Sequence, residues 1–327
     1  MQSEGRRSFL MGRRPPSSPW DQFCTRLRRA ASGELTMLDA DPDTQAARLV
    51  LRQAADVHHA RNLCSEYGVC MVLEGVSEPA SYPGPVLWLR LGRELATCQR
   101  LDPGGSRWFV QPGCLLGELE AAGLACFDSL PPYMTVAAWL ADRRLCNWPA
   151  GRTALSGIVH ASALLADGVS VNLGAFSTDN RKPLDSLRLQ QLIPALFSLA
   201  NGPDARACNE WRSWPARYRL DALLPAPGST LNLSHLLLGH GGDLAWVEWV
   251  VIDEALADPA AGAENLLELP GAEQEDGAAG LGGYDGGSGP CDAVNVARAA
   301  QEVDASMKAL FDPAGLFPHP GQHFQGG

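Results

Sequence analysis

The chain has 327 residues, 46% of them hydrophobic, enough to bury a substantial core in one large domain or two lobes, which excludes disorder of the whole chain. No run of about 18 apolar residues offers a membrane span. A net charge of −11 argues against wholesale electrostatic binding to nucleic acid, because that attraction needs Lys and Arg massed against phosphates.

Arg6, Arg7, Arg13, Arg14, Arg26, Arg28 and Arg29 crowd the N-terminus, whereas Leu220 to Ala297 contains no Lys or Arg. Such runs read first as solvated arms and loops. Arg6-Arg7-Ser8-Phe9-Leu10 resembles a twin-arginine signal, but no apolar segment follows it, so the expectation is a cytoplasmic protein. Nine cysteines form no C-x-x-C pair, predicting reduced thiols and no metal or iron–sulfur site within the chain. The 34 Gly and 24 Pro predict many turns between short elements, as in an α+β fold.

In chain order, a first helix is expected around Trp20 to Arg29. Ala47 to Arg52 has strand character, Asp56 to Tyr67 reads as a helix closed by Gly68, and Val69 to Leu73 as a buried strand. That strand leads into Glu74-Gly75-Val76-Ser77, a turn of small residues whose N–H groups suit a phosphate, or an ordinary strand-ending turn. Val86 to Arg90 and Arg107 to Val110 are further strands, and after Gln111-Pro112-Gly113 a helix carries Leu115, Leu116 and Leu119 on one face. Ile158 to Leu165, Asp167-Gly168 and Val169 to Leu173 predict a buried strand pair with a tight turn.

Leucines at helical spacing mark Leu187 to Ala200, interrupted by Pro194. Trp211, Trp214, Arg217, Tyr218 and Arg219 form an Arg/aromatic cluster, either a ligand surface or arginine stems stacked at a lobe junction. Asn232 to Leu238 is expected as a short helix and Leu244 to Ile252 as a strand, where alternation puts Glu248 on the face of Trp246 and Val250, at an edge or against an arginine. Val294 to Phe311 closes the chain as an amphipathic helix. Of the histidines, His160, His235 and His240 are candidates for general chemistry, and each also suits a hydrogen-bonded structural role.

Taken in order, these segments resemble FAD-binding oxidoreductases of the vanillyl-alcohol-oxidase (PCMH-type) family, and are similar to the short FAD-binding subunit of bacterial glycolate oxidase. The resemblance rests on Pro112 to Leu119, Thr135 to Ala138, Ala166-Asp167-Gly168 and Asp312-Pro313-Ala314-Gly315. It implies a two-lobed PCMH-type α+β fold with a short, reduced second region. The implied organisation is a poorly ordered basic arm over 1–40, an FAD-binding unit over 41–181, a second α+β region over 182–253, a flexible Gly/Ala/acidic insertion over 254–290, and a helix and tail over 291–327.

The same resemblance assigns FAD contacts to Glu74, Gly75, Val76, Ser77, Pro112, Gly113, Thr135, Val136, Ala137, Ala138, Ser156 and Gly157. It implies oxidation of a small organic substrate such as a 2-hydroxy acid, with electrons passed to an iron–sulfur or other electron-accepting partner subunit. The departures are chemical. Where the family has paired glycines, this chain has a single Gly75 and the pair Ala137-Ala138, and a Cβ blocks close backbone approach to a cofactor. The alternative is therefore a non-catalytic structural or assembly subunit that keeps the fold without FAD. No catalytic base is assigned.

Overall fold

The computed structural model describes residues 18–38, 45–75, 82, 84–176, 186–263 and 290–319, with the backbone alone at 290–293. Val76 and Ser77 lie outside the described residues, as do most of the expected acidic insertion and the first part of the arm.

Helix α1 (Pro19–Ala30) starts at a capping box in which Ser18 Oγ accepts from the Asp21 N–H at 3.1 Å, and Arg28 and Arg29 stand in its last turn. Trp20, Phe23, Cys24 and Leu27, at positions i, i+3, i+4 and i+7, are its buried stripe. Strand β1 (Leu35–Leu38) follows, then β2 (Ala46–Leu51), α2 (Ala54–Tyr67), β3 (Cys70–Leu73) and β4 (Val86–Leu91). These strands form a four-stranded sheet in the order β1-β2-β4-β3, antiparallel only between β1 and β2. The α2 helix makes the crossover that parallel strands require, and ends at Gly68 with φ 65°.

The second sheet is antiparallel throughout. Its strands are β5 (Cys98–Arg100), β6 (Arg107–Val110), β7 (Ile158–Leu164), β8 (Ser170–Gly174) and β9 (Trp246–Asp253), in the order β5-β6-β9-β7-β8. The strand latest in sequence thus fills the centre. Helices α3 (Leu116–Ala121), α4 (Val136–Ala141), α5 (Leu187–Ala200), α6 (Pro203–Asn209), α7 (Pro259–Ala263) and α8 (Pro290–Phe311) complete the chain. The molecule is α+β, with two sheets and helices around them. The short helix expected over Asn232 to Leu238 is a 3-10 helix over Leu233–Leu237, capped by the Asn232 side chain, which accepts from the Ser234 N–H at 2.9 Å.

Two cores result. The larger packs Trp108, Val110, Ala161, Val250 and Ile252 of the second sheet against Leu119, Trp139, Leu196 and Val303 of the helices. The smaller lies between α1, α2 and the first sheet, and it also takes Ala137, Leu164, Ala166 and Trp246 from the second lobe. A β-bulge explains that crossing. Along β7, Ser162 opposes Trp249 and Ala163 opposes Val247, so Glu248 is an extra residue and the alternation of β9 changes phase there. Val247 consequently enters the larger core and Trp246, opposite Leu164, the smaller one.

The same bulge corrects the expectation for Glu248. It shares a face with Trp246 but not with Val250, which the bulge moves into the larger core; β9 is interior, and among the described residues no arginine pairs with Glu248. Its carboxylate accepts from Ser162 Oγ at 2.7 Å and Ser170 Oγ at 3.1 Å, and lies 3.0 Å from His58 Nε2 of α2. Arg61, one turn further along α2, donates to the Ala166 carbonyl at 2.7 Å. The two lobes are therefore joined by polar contacts as well as by apolar packing.

Candidate functional site

The residues assigned to the flavin cradle come together in part, but their polar groups face each other. Thr135 caps α4, its Oγ1 accepting from the Ala138 N–H at 3.1 Å. The Val136 N–H donates to the Cys114 carbonyl at 2.9 Å and the Ala137 N–H to the Pro112 carbonyl at 3.0 Å. A helix N-terminus binds an anion through its unsatisfied amides. Here the first three amides of α4 have protein acceptors.

Gly113 is fitted to the chain itself. A Cβ there would stand 2.6 Å from the Leu95 carbonyl oxygen, to which the Gly113 N–H donates at 2.9 Å. Gly157 has φ 72°, and a Cβ would meet Ala257 at 2.5 Å. Ser156 is fully buried, its Oγ accepting from the Ile158 N–H at 3.3 Å. Glu74 forms an ion pair with Arg48 at 2.7 Å. Gly75, at φ 85° with open space around it, keeps the freedom of a ligand-facing turn.

Between the lobes, the cavity lined by Met71, Leu89, Ala137, His240, Trp246 and Phe317 has a volume of about 10 Å³. Sites for drug-sized ligands run to roughly 300–1,000 Å³, so this space holds about one water. The residues present do not fit FAD in that crevice: the space is filled by apolar side chains, and the neighbouring amides are engaged.

The tail and turn motifs of the resemblance also have internal uses. Asp312 forms an ion pair with Lys308 at 2.7 Å and accepts from the Leu316 and Phe317 N–H groups at 2.9 and 2.8 Å. This holds the Leu316 carbonyl where the Met71 N–H of β3 donates to it at 2.8 Å. At Ala166-Asp167-Gly168, Gly168 takes φ 89° and the Ala166 carbonyl receives Arg61.

The histidines are structural by their surroundings. His235 is buried, its Nε2 2.7 Å from the Ile158 carbonyl and its Nδ1 2.9 Å from Thr153 Oγ1, so Nε2 carries the proton and Nδ1 accepts. Burial pulls its pKa down to about 4. Burial, with the charge of Arg217, pulls His240 down to about 3, and its Nδ1 accepts from the Gly242 N–H at 3.2 Å. His160 stacks on Trp249 with ring centroids 5.5 Å apart. His58 of α2 is the interlobe partner of Glu248, a pairing that no local spacing signals.

The Arg/aromatic cluster resolves as buried structure. Arg219 forks onto Asp221 at 2.9 and 2.7 Å and also donates to the Cys146 and Trp148 carbonyls at 3.0 and 2.9 Å. Tyr218 is fully buried, its hydroxyl 2.8 Å from Asp243 Oδ1.

No family model and no curated protein sequence matches the chain. Among solved structures it is similar to alkyldihydroxyacetonephosphate synthase (14% identity, TM-score 0.37), covering 63% of this chain and 32% of that one. It is also similar to Physcomitrella patens BBE-like 1, at 11% identity and TM-score 0.40 over 71% of this chain and 44% of that one. A third is the FAD-containing glucooligosaccharide oxidase from Acremonium strictum, at 17% identity and TM-score 0.40 over 71% of this chain and 42% of that one. The chain spans less than half the length of each of these structures. Likenesses of this size assign no ligand or activity.

Proposed function

We propose that this chain is a non-catalytic structural or assembly subunit that keeps the two-lobed layering of a PCMH-type flavin-binding fold without holding FAD. One observation carries the reading: the interlobe crevice is packed shut, with Trp246, Leu164, Ala137 and Ala166 built into the core of the first lobe. The engaged α4 amides support it independently. Eight cysteines, free among the described residues, support a reducing, cytoplasmic setting, and no described helix is long and apolar enough to cross a membrane.

The enzymatic reading, oxidation of a small organic acid through FAD with transfer to an electron-accepting partner, draws on the order of the sequence segments and on the open Gly75 turn. Spectroscopy separates the two. The purified protein is expected to be colourless, to release no flavin on denaturation and to leave the fluorescence of added FAD unchanged. A yellow protein releasing about one equivalent of FAD would restore the enzyme and overturn the proposal.

The packing itself is testable. Trp246→Ala is expected to cost about 3–5 kcal/mol in urea unfolding, the usual range for an aromatic-to-alanine change in a core. A loss below about 1 kcal/mol would mean that the crevice is not closed by this ring.

A further inference from the structure

We infer that the chain docks on an anionic lipid surface through its arginine-rich N-terminal segment and the outer face of α1. Residues 1–29 carry seven arginines against Glu4 and Asp21, a net of +5, so the other residues hold −16 within the chain's total of −11. A division of charge this sharp points to an anionic partner for the N-terminal end.

The sequence of that segment selects lipid among anionic partners. Arg6-Arg7 and Arg13-Arg14 bracket Phe9-Leu10-Met11. Paired cations around a short apolar run suit a headgroup region, where guanidinium groups meet lipid phosphates and carboxylates while the apolar side chains enter the acyl boundary. A nucleic-acid backbone or an acidic peptide engages the arginines and leaves the apolar triplet without a partner.

Helix α1 extends the basic surface onto the folded body. Its stripe of Trp20, Phe23, Cys24 and Leu27 is held in the core of the first lobe, which turns Gln22, Thr25 and Arg29 outward, with Arg28 also exposed. Arg26 is engaged by Glu66 and Tyr67, whereas Arg28 and Arg29 form no ion pair among the described residues. Seventeen residues precede Ser18, a length of chain that reaches up to about 60 Å when extended, several times the Debye length of about 8 Å at physiological salt. The acidic remainder therefore does not cancel the attraction of Arg6, Arg7, Arg13 and Arg14. Each arginine brought to such a surface strengthens binding roughly five-fold.

The test is co-sedimentation of the full chain with vesicles of phosphatidylcholine alone and of phosphatidylcholine mixed with phosphatidylserine, at about 0.1 and about 1 M salt. Binding is expected only to the mixed vesicles, and it should fall at least about ten-fold at the higher salt. Arg13→Gln with Arg14→Gln is expected to weaken it at least about ten-fold, and Phe9→Ser with Leu10→Ser at least about five-fold, with the urea unfolding midpoint unchanged in both. Arg28→Gln with Arg29→Gln should weaken it by at least about five-fold; if that variant loses stability, the two N-terminal variants still decide. A short DNA duplex and poly-glutamate, added at equal charge, are expected not to displace the vesicles. No binding to the mixed vesicles, equal binding to the neutral ones, unchanged binding in a folded variant, or displacement by either polyanion would overturn the inference. A flavin found in the purified protein would overturn the structural-subunit reading and leave this one standing.

Discussion

Arg219→Met is expected to lower the stability of the chain by about 3–5 kcal/mol, because it removes one partner of a buried ion pair and leaves the other uncompensated. Arg219 and Asp221 are both fully buried, and the guanidinium holds both carboxylate oxygens while reaching the carbonyls of Cys146 and Trp148. Asp221 also accepts from the Gly151 N–H at 2.9 Å, so it cannot turn away to find water. Arg219→Lys should recover little, since an ammonium cannot reproduce the fork. The double variant Arg219→Met, Asp221→Leu should recover much of the loss, because the pair leaves together. Urea unfolding of the four proteins checks this. A loss below about 1 kcal/mol for Arg219→Met would show that the cluster faces solvent or a ligand.

Nearby Arg143 adds a second readout. Burial and the charge of Arg219 pull its pKa down to about 9, although its guanidinium donates to the Trp214 carbonyl at 2.6 Å and to Asn147 Oδ1 at 2.9 Å. Removing Arg219 relieves that repulsion. Part of the expected cost is therefore offset, which places the prediction nearer the lower end of its range.

Local chemistry made most elements legible. The stripe Trp20, Phe23, Leu27, the Gly68 cap and the Asp167-Gly168 turn each specify their own backbone, and the structure has an element at each. What could not be read was non-local. Nothing in Trp246 to Asp253 says that it enters a sheet between strands that precede it by roughly 90 and 140 residues, a crossing governed by tertiary pairing and not by periodicity. The bulge at Glu248 defeats simple alternation, and with it any sequence reading of where Trp246 points. Ala137 and Ala138 were the informative departure, since one of these methyl-bearing residues lines the closed crevice.

Acidification from pH 7 to 5 is expected to destabilise the chain through two buried histidines. In the fold His235 and His240 stay neutral down to about pH 4 and 3, whereas in the unfolded chain each takes a proton near 6.5. Above about 6.5 both states are neutral and the rings contribute no pH dependence. Below it the unfolded state binds more protons, so stability falls as pH falls, at up to about 1.4 kcal/mol per unit per histidine, until the folded values are reached. By pH 5 the two together take away about 4 kcal/mol. Asp304 acts in the opposite sense. Burial raises its pKa to about 6 against the donating N–H groups of Arg217 and Tyr218, so the fold takes up its proton first and regains about 1 kcal/mol by pH 5. His240→Asn, which can still accept from the Gly242 N–H, should flatten the slope between pH 6.5 and 5 by about half of the histidine contribution. Urea titrations of the two proteins at pH 7, 6 and 5 measure it. An unchanged slope would mean that His240 is protonated in the fold. Such a ring, at the edge of the interlobe crevice, would reopen the acid–base chemistry that a neutral, buried one cannot supply at pH 7.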